Sequence, residues 1–371
     1  MMEGQNYFRV VLSTLVVLLI FGFGRIDSDD VLAEETGTEI DFSTEIPLDI
    51  MATGVKDSIV ISFRDIEHAD GYELYESIDG ESFTFVGEWD RSEIVLDDKG
   101  FNETYVYYVR GYMDDDGTKI YSEESRNVSA TTAPEGAKST IKTLFQTGIA
   151  PMGHTMYIWG GGWNEADDGS GPTTMQIGVA KEWRDFALDK DNTYDFQNYR
   201  YQIHDGLDCS GYLGFINYNI LNTASHNEGY VTWAADTGPY LNSKGLGTYT
   251  EEQLHNSYTP GDVMYNEAHV YLVIGRASDN SILMMHASPD GVKLSGTPTP
   301  SGESSEAARL ASEYTAKYFP EYYEKDDVYL MSYSFLNSYK KFQYDSALVA
   351  DPDGYKQMSA EEILEDLFSE R

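Results

Sequence analysis

The single cysteine of the chain, Cys209, stands in the run His204-Asp205-Gly206-Leu207-Asp208-Cys209-Ser210-Gly211-Tyr212-Leu213-Gly214-Phe215. From Asp208 onward this reads as a helix start: Asp208 can cap it, and Tyr212, Leu213, Phe215, Ile216, Ile220 and Leu221 recur at helical spacing. Cys209 then occupies the first turn. There the unsatisfied backbone N–H groups and the positive end of the helix dipole favour an anion and lower the thiol pKa. Position alone also allows the other reading, a small buried hydrophobe with no chemistry.

A nucleophilic thiol needs an imidazole to take and return its proton and a third polar group to hold that imidazole. Two histidines meet this need. Strands are expected over 268–274 and 282–287, joined by a loop at Arg276-Ala277-Ser278-Asp279. If Gly275 pairs with Asn280, His269 faces His286 directly, with Cβ atoms about 4.5–5.5 Å apart on one face. His68, His154, His226 and His255 show no comparable pattern, and His204 is a rival base only because it lies near Cys209. One cysteine without closely spaced histidine and carboxylate ligands argues against a catalytic zinc. Asp189, Asp191 and Asp195 resemble calcium ligands, but Tyr194 stands where an EF-hand loop needs glycine. No metal and no cofactor is expected.

These residues need a scaffold, and the composition supplies one: 41% of residues are hydrophobic and 13% aromatic, enough for a sizeable core in two or three domains. The formal charge of −38 argues against nucleic-acid binding and against adhesion to anionic membranes. Arg9 followed by an apolar run over 10–23 reads as a secretory signal or an uncleaved anchor spanning 1–33. Such a segment implies export to the cell surface or beyond, where an unpaired cysteine is unusual and points to a reactive thiol or an intermolecular bridge. A polar linker follows at 34–44.

Short alternating strands are expected at 58–63, 71–75, 83–86, 92–96, 104–110 and 126–130, with turn chemistry at Ile78-Asp79-Gly80-Glu81 and Asp115-Asp116-Gly117, which together predict a β-sandwich. The stretches Ala69-Asp70-Gly71-Tyr72-Glu73-Leu74-Tyr75, Thr104-Tyr105-Val106-Tyr107-Tyr108-Val109-Arg110 and Tyr121-Ser122-Glu123-Glu124-Ser125 resemble a fibronectin type III domain, placed at 45–133, with Phe63 where that family usually carries tryptophan. By that resemblance the module is a spacer or a weak binder of a wall or surface polymer. Pro134-Glu135-Gly136 marks the boundary.

Beyond it, Ile141, Leu144 and Phe145 predict a short helix, and Met156-Tyr157-Ile158-Trp159-Gly160-Gly161-Gly162 offers three glycines for close backbone approach. Taken in order, Tyr157-Ile158-Trp159-Gly160-Gly161, Asp208-Cys209-Ser210-Gly211, Pro260-Gly261-Asp262 with His269, and Met285-His286-Ala287-Ser288 resemble the NlpC-type, papain-like cell-wall cysteine peptidases. The resemblance places an α+β hydrolase with an antiparallel sheet at 134–371. It implies Cys209 as nucleophile, His269 as general base and His286 as the orienting residue. It also puts Tyr157, Asp208 and Ser210 beside the oxyanion or substrate, with the Cys209 N–H contributing to the oxyanion hole. Asp208 is either the helix cap or a contact for a substrate amine. The implied reaction is hydrolysis of peptidoglycan stem peptides, between D-γ-glutamyl and a diamino acid.

Two stretches depart from that pattern. Residues 163–207 form a longer connection, with a helix expected at 180–187, and are a candidate lid or specificity loop. After Pro298, a helix at 305–318, a strand at 328–335 and a final helix with a Ser359/Glu362 capping box are additional. Other functions stay open: a surface-binding or scaffold protein with weak catalysis, or an amidase or acyltransferase using the same residues.

Overall fold

Strands with a buried apolar face, most regularly alternating along 104–111, build two facing sheets at the N-terminal end of the described chain. The computed structural model describes residues 41–221, 228–252, 257–299, 301, 304–320 and 338–369. The segment at 1–33, most of the linker, His226, His255 and the strand expected at 328–335 lie outside the described residues. The sandwich comprises β1 (Met51–Val55), β2 (Ser58–Ser62), β3 (Gly71–Ser77), β4 (Thr84–Trp89), β5 (Glu93–Leu96), β6 (Thr104–Asp115), β7 (Thr118–Glu124) and β8 (Val128–Thr131). One sheet has the order β1-β2-β5, and the other runs β4-β3-β6-β7 with β8 also on β6. Inward residues such as Ile59, Ile61, Leu74, Ile94, Tyr107 and Val109 form its core, and Phe63 packs edge-on against Tyr72 at 4.7 Å. The Asp116-Gly117 turn adopts φ of 47° and 88°, the conformation a tight hairpin between β6 and β7 demands. Phe42, assigned to the linker by its polar neighbours, is buried in this core.

Residues Asp41–Arg371 form one compact unit, so the sandwich is not a detached spacer. Met51 of β1 enters the main core of the second half, Arg64 pairs with Asp185 at 2.6 Å, and the Lys56 amide bonds the Lys138 carbonyl at 2.9 Å.

The second half opens with β9 (Ser139–Thr140) and α1 (Ile141–Ile149), capped by the Thr140 side chain, and continues through α2 (Lys181–Leu188) to α3 (Cys209–Leu221). All thirteen residues of α3 are buried, and its polar side chains Asn217 and Asn219 are hydrogen-bonded, to Tyr344 and to the Gly178 amide. After α4 (Thr237–Ser243) come β10 (Gly247–Thr250), β11 (Val263–Tyr265), β12 (Val270–Arg276), β13 (Ile282–Ser288) and β14 (Gly291–Gly296). Then α5 (Glu306–Tyr318), β15 (Lys340–Tyr344), β16 (Val349–Ala350) and the terminal α6 (Ala360–Phe368) complete the described chain. Six strands make one antiparallel sheet ordered β10-β15-β11-β12-β13-β14 that packs on α3, while β16 pairs with β9. The Ser359/Glu362 capping box is present at the start of α6, and Ser305 caps α5.

The hairpin differs from the expected register. Leu272 faces Met285 and Val273 faces Met284, a bulge intervenes, and Gly275 then faces Leu283 rather than Asn280. The loop is wider than composition indicated: the Ala277 amide bonds the Ser281 carbonyl, and Asn280 takes a φ of 68°. His269 therefore does not sit directly opposite His286. The shift in register is three residues beside the loop and two on the histidine side of the bulge, and the latter preserves side-chain parity there and leaves both histidines on one face as diagonal neighbours. His269 itself precedes β12 rather than lying within it.

Candidate active site

Backbone-to-backbone packing sets the position of Cys209. The Asp208 amide donates to the Gly161 carbonyl at 3.0 Å, and the Ile158 amide to the Leu207 carbonyl at 3.1 Å, which ties the glycine motif to the start of α3. A Cβ on Gly161 would lie 2.6 Å from the Gly206 oxygen, and one on Gly211 would run into the Gly161 oxygen. Gly160 and Gly162 also take positive φ, 83° and 84°. The glycines are therefore needed for contact, not only for a turn.

Asp208 acts as the cap: its Oδ1 accepts from the Gly211 amide at 2.7 Å and from Ser210 Oγ at 2.8 Å. Burial nevertheless pushes its carboxyl up to about 6, against the pull of those bonds. Ser210 Oγ in turn accepts from Trp163 Nε1 at 3.2 Å, so Ser210 bridges the cap to the cleft wall.

The expected lowering of the Cys209 thiol pKa is overturned. Burial first, then the neighbouring Asp208 carboxylate, push it up to about 12, outweighing the N–H groups of Val270, Ser210 and Cys209 itself that favour the thiolate. Cys209 is 7% exposed, and a helix terminus cannot replace the water that such a sulfur loses. The resting thiol is neutral.

The two histidines meet. His269 Nε2 and His286 Nδ1 are 2.8 Å apart, with ring planes at 72°. His286 is fully buried, and its Nε2 lies 3.0 Å from Ser295 Oγ on β14. Burial lowers His269 to about 4 and takes His286 well below the ordinary histidine value, with His269 and Lys293 adding to the latter shift. Both imidazoles are neutral near pH 7. His269 is aimed by an Asn266 turn, in which Asn266 Oδ1 accepts the Ala268 and His269 amides at 2.8 and 2.9 Å. The Val270 N–H, one residue beyond His269, is among the groups that favour the Cys209 thiolate.

Tyr157 is buried beside the thiol: its hydroxyl is held well above the ordinary tyrosine pKa by burial, with Cys209 and Asp208 contributing. Segment 163–207 supports it, since the Tyr194 hydroxyl donates to the Tyr157 carbonyl at 2.7 Å and Phe196 packs edge-on against its ring at 5.3 Å. The same segment contributes Asp167, Arg200 and Tyr201 to a cleft of about 590 Å³ that contains Cys209 and is closed on other sides by Trp159, Trp233 and Glu267. Arg200 lies over the Trp159 ring at 4.9 Å. His204, the rival base, is exposed and lines a neighbouring depression with Asn164 and Tyr201, so it is not grouped with Cys209. Pro260-Gly261-Asp262 is structural: buried Asp262 pairs with Lys341 at 3.1 Å and accepts from Gln343, joining β15 to the sheet. Among the described residues no group of three or more His, Cys, Asp or Glu is arranged to hold a metal ion.

Sequence reasoning missed Asn266, Ser295 and Tyr339, a buried tyrosine whose pKa is raised partly by Cys209. For Ser295 a signal existed, the alternation of Gly291-Val292-Lys293-Leu294-Ser295-Gly296, which places position 295 diagonally beside His286 on β13.

No family model matches the chain, and no curated protein matches it. Solved structures with which it shares a likeness include fibronectin type III domains. The chicken CNTN1 FN1-FN3 domains are 17% identical over 24% of this chain and 31% of that one, with a TM-score of 0.21. The fibronectin type III domain derived from human KIAA0970 protein is 16% identical over 25% of this chain and 76% of that one, also at 0.21. That of human fibronectin type III domain containing protein 3 is 15% identical over 27% and 95%, again at 0.21. This chain thus spans about a third of the CNTN1 fragment. The class these neighbours represent is an antiparallel β-sandwich of fibronectin type III type. Likeness at this level carries no argument about activity, and the Cys209 site rests on its own geometry.

Proposed function

We propose that this protein is an exported cysteine peptidase that hydrolyses amide bonds of peptidoglycan stem peptides, between D-γ-glutamyl and a diamino acid. One observation carries the reading: a 2.8 Å contact between His269 Nε2 and His286 Nδ1, in a fold where Val270, the residue after His269, lies beside a cysteine that opens a buried helix and lines a cleft. For His269 to accept the thiol proton at Nδ1, it must carry hydrogen on Nε2 and donate it to His286 Nδ1. His286 then carries its hydrogen on Nε2 and donates to Ser295 Oγ. In this tautomer Cys209 loses its proton to His269 as the sulfur attacks the carbonyl. His269 returns that proton to the leaving amine, and water attacks the thioester with His269 again as base. The high thiol pKa fits a proton moved during attack rather than a standing ion pair.

The cleft walls support a peptide substrate: Trp159 and Trp233 are exposed aromatic surfaces, and four carboxylates (Asp167, Asp208, Asp236 and Glu267) face one cation, Arg200. The resemblance of the four motifs to NlpC-type peptidases supplies the bond class. The sandwich, braced against the catalytic half, is assigned to contact with the wall polymer.

The test is digestion of purified cell wall by the native chain and by Cys209→Ala, with released fragments identified by mass spectrometry. New D-γ-glutamyl termini from the native chain alone support the proposal, and identical profiles overturn it. The buried, high-pKa thiol also favours a second reading, a surface-binding protein with weak catalysis. Under that reading iodoacetamide labels Cys209 no faster than it labels a model thiol at neutral pH.

A further inference from the structure

Acidic side chains outnumber basic ones by 63 to 25 in this chain, yet three cations face a single cleft at the seam between the sandwich and the catalytic half. Arg126, just before β8, comes from the sandwich, while Arg184 on α2 and Lys317 on α5 come from the other side. The cleft measures about 410 Å³ and shares no lining residue with the one around Cys209. Asp49 is the one carboxylate in its lining, and Arg184 already engages it, through Nε at 2.6 Å and a terminal nitrogen at 2.5 Å.

The other two cations are less fully matched. Arg126 bonds only backbone oxygens, Ile50 at 2.7 Å and Asn127 at 3.4 Å, and among the described residues neither Arg126 nor Lys317 is in an ion pair. Loss of water around Arg126, only partly offset by Asp49, depresses its guanidinium to about 10. His154 completes the set. Its Nδ1 is buried with no partner, while its Nε2 lies 3.6 Å from Asp49. A polar group withdrawn from water without a partner is costly, and a single carboxylate, Asp49, serves three cations here. A planar guanidinium presents paired donors that match an oxyanion in bidentate fashion. Met152, Tyr318 and Phe319 add an apolar wall, which suits an organic ligand rather than a bare ion.

We propose that this cleft is a binding site for a small organic oxyanion, a phosphate or carboxylate, held by Arg126 and Lys317 with His154 as a further partner. Because its walls come from both halves, a bound anion braces the sandwich against the catalytic half. The site is independent of the peptidase reading.

The experiment is thermal denaturation and isothermal titration of the full chain with inorganic phosphate, citrate and glucose 6-phosphate, at constant ionic strength with chloride as the control. Oxyanion-specific binding is expected for the native chain and for Cys209→Ala. It is expected to weaken at least tenfold in Arg126→Gln and in Lys317→Glu. Lys317 is exposed and in no ion pair among the described residues, so its variant keeps the test valid if Arg126→Gln fails to fold. Binding of the phosphates alone assigns a phosphoryl ligand, and binding of citrate alone a carboxylate ligand. No binding beyond the chloride control, or undiminished binding in Lys317→Glu, overturns the proposal.

Discussion

Replacing Ser295 with alanine tests the proton path most directly. His286 is fully buried and has two ring partners, His269 at 2.8 Å and Ser295 Oγ at 3.0 Å. Deleting the hydroxyl leaves the His286 Nε2–H unsatisfied in the productive tautomer only. In the reversed tautomer Nδ1–H donates to His269 Nε2, and Nε2 becomes a bare acceptor. The hydroxyl can also donate to that acceptor, so the bias arises from the difference between two hydrogen bonds. A net bond of about 0.5–1.5 kcal/mol sets the scale, and at about 1.4 kcal/mol per tenfold the variant should lose roughly 2–12-fold in rate. The assay is the rate of Cys209 alkylation by iodoacetamide against pH, alongside wall hydrolysis. Both rates should fall by similar factors, with the substrate KM unchanged. Ser295→Thr, which restores the hydroxyl, should recover most of the loss, and Ser295→Val should not. If Ser295→Ala alkylates at the native rate with a native pH profile, the hydroxyl does not set the tautomer and the relay is wrong.

Three further outcomes are expected. Gly211→Ala drives a Cβ into the Gly161 carbonyl, and overpacking of this kind costs about 1–3 kcal/mol or more, read as a lower Tm and displaced, less reactive Cys209. Stability should fall on acidification from about pH 6.5 towards 4. His154 and His269 stand at about 4 in the fold against an ordinary 6.5, so the unfolded chain binds more protons across that window. Asp208, raised to about 6, acts oppositely as a single group, and urea unfolding at pH 7 and pH 4.5 measures the net fall. Activity on anionic cell wall should rise on adding about 0.15 M salt, because screening at a Debye length of about 8 Å weakens repulsion from a chain of charge −38. A monotonic fall across a salt titration refutes that account.

Local sequence determined much of this protein. Alternation of apolar residues in 104–110 specified a strand with one buried face, the apolar run in 58–63 specified a strand that is buried on both, and the Asp116-Gly117 pair specified the turn between β6 and β7, because each depends only on near neighbours. Asp208 as cap, the capping box at Ser359 and the helices at 141–149 and 181–188 were legible for the same reason. Strand parity put His269 and His286 on one face only because of the bulge, since the register differs from the expected one by three on the loop side and by two on the histidine side.

Tertiary structure decided the rest. The bulge at Ile274 and the wider loop set the actual diagonal contact, and neither is encoded in period-two patterning. Burial, a property of the whole fold, reversed the expected thiol shift, since desolvation of Cys209 exceeds what a helix terminus returns. The cationic seam at Arg126 and Lys317 comes together from distant parts of the chain, whereas Ser295 and Asn266 lie near His286 and His269 in sequence and meet them only through the β13–β14 pairing and the turn before β12. A lone cysteine and two histidines were visible as residue types. Their order in space, their neutrality and their supporting partners exist only once α3 is enclosed by the sheet.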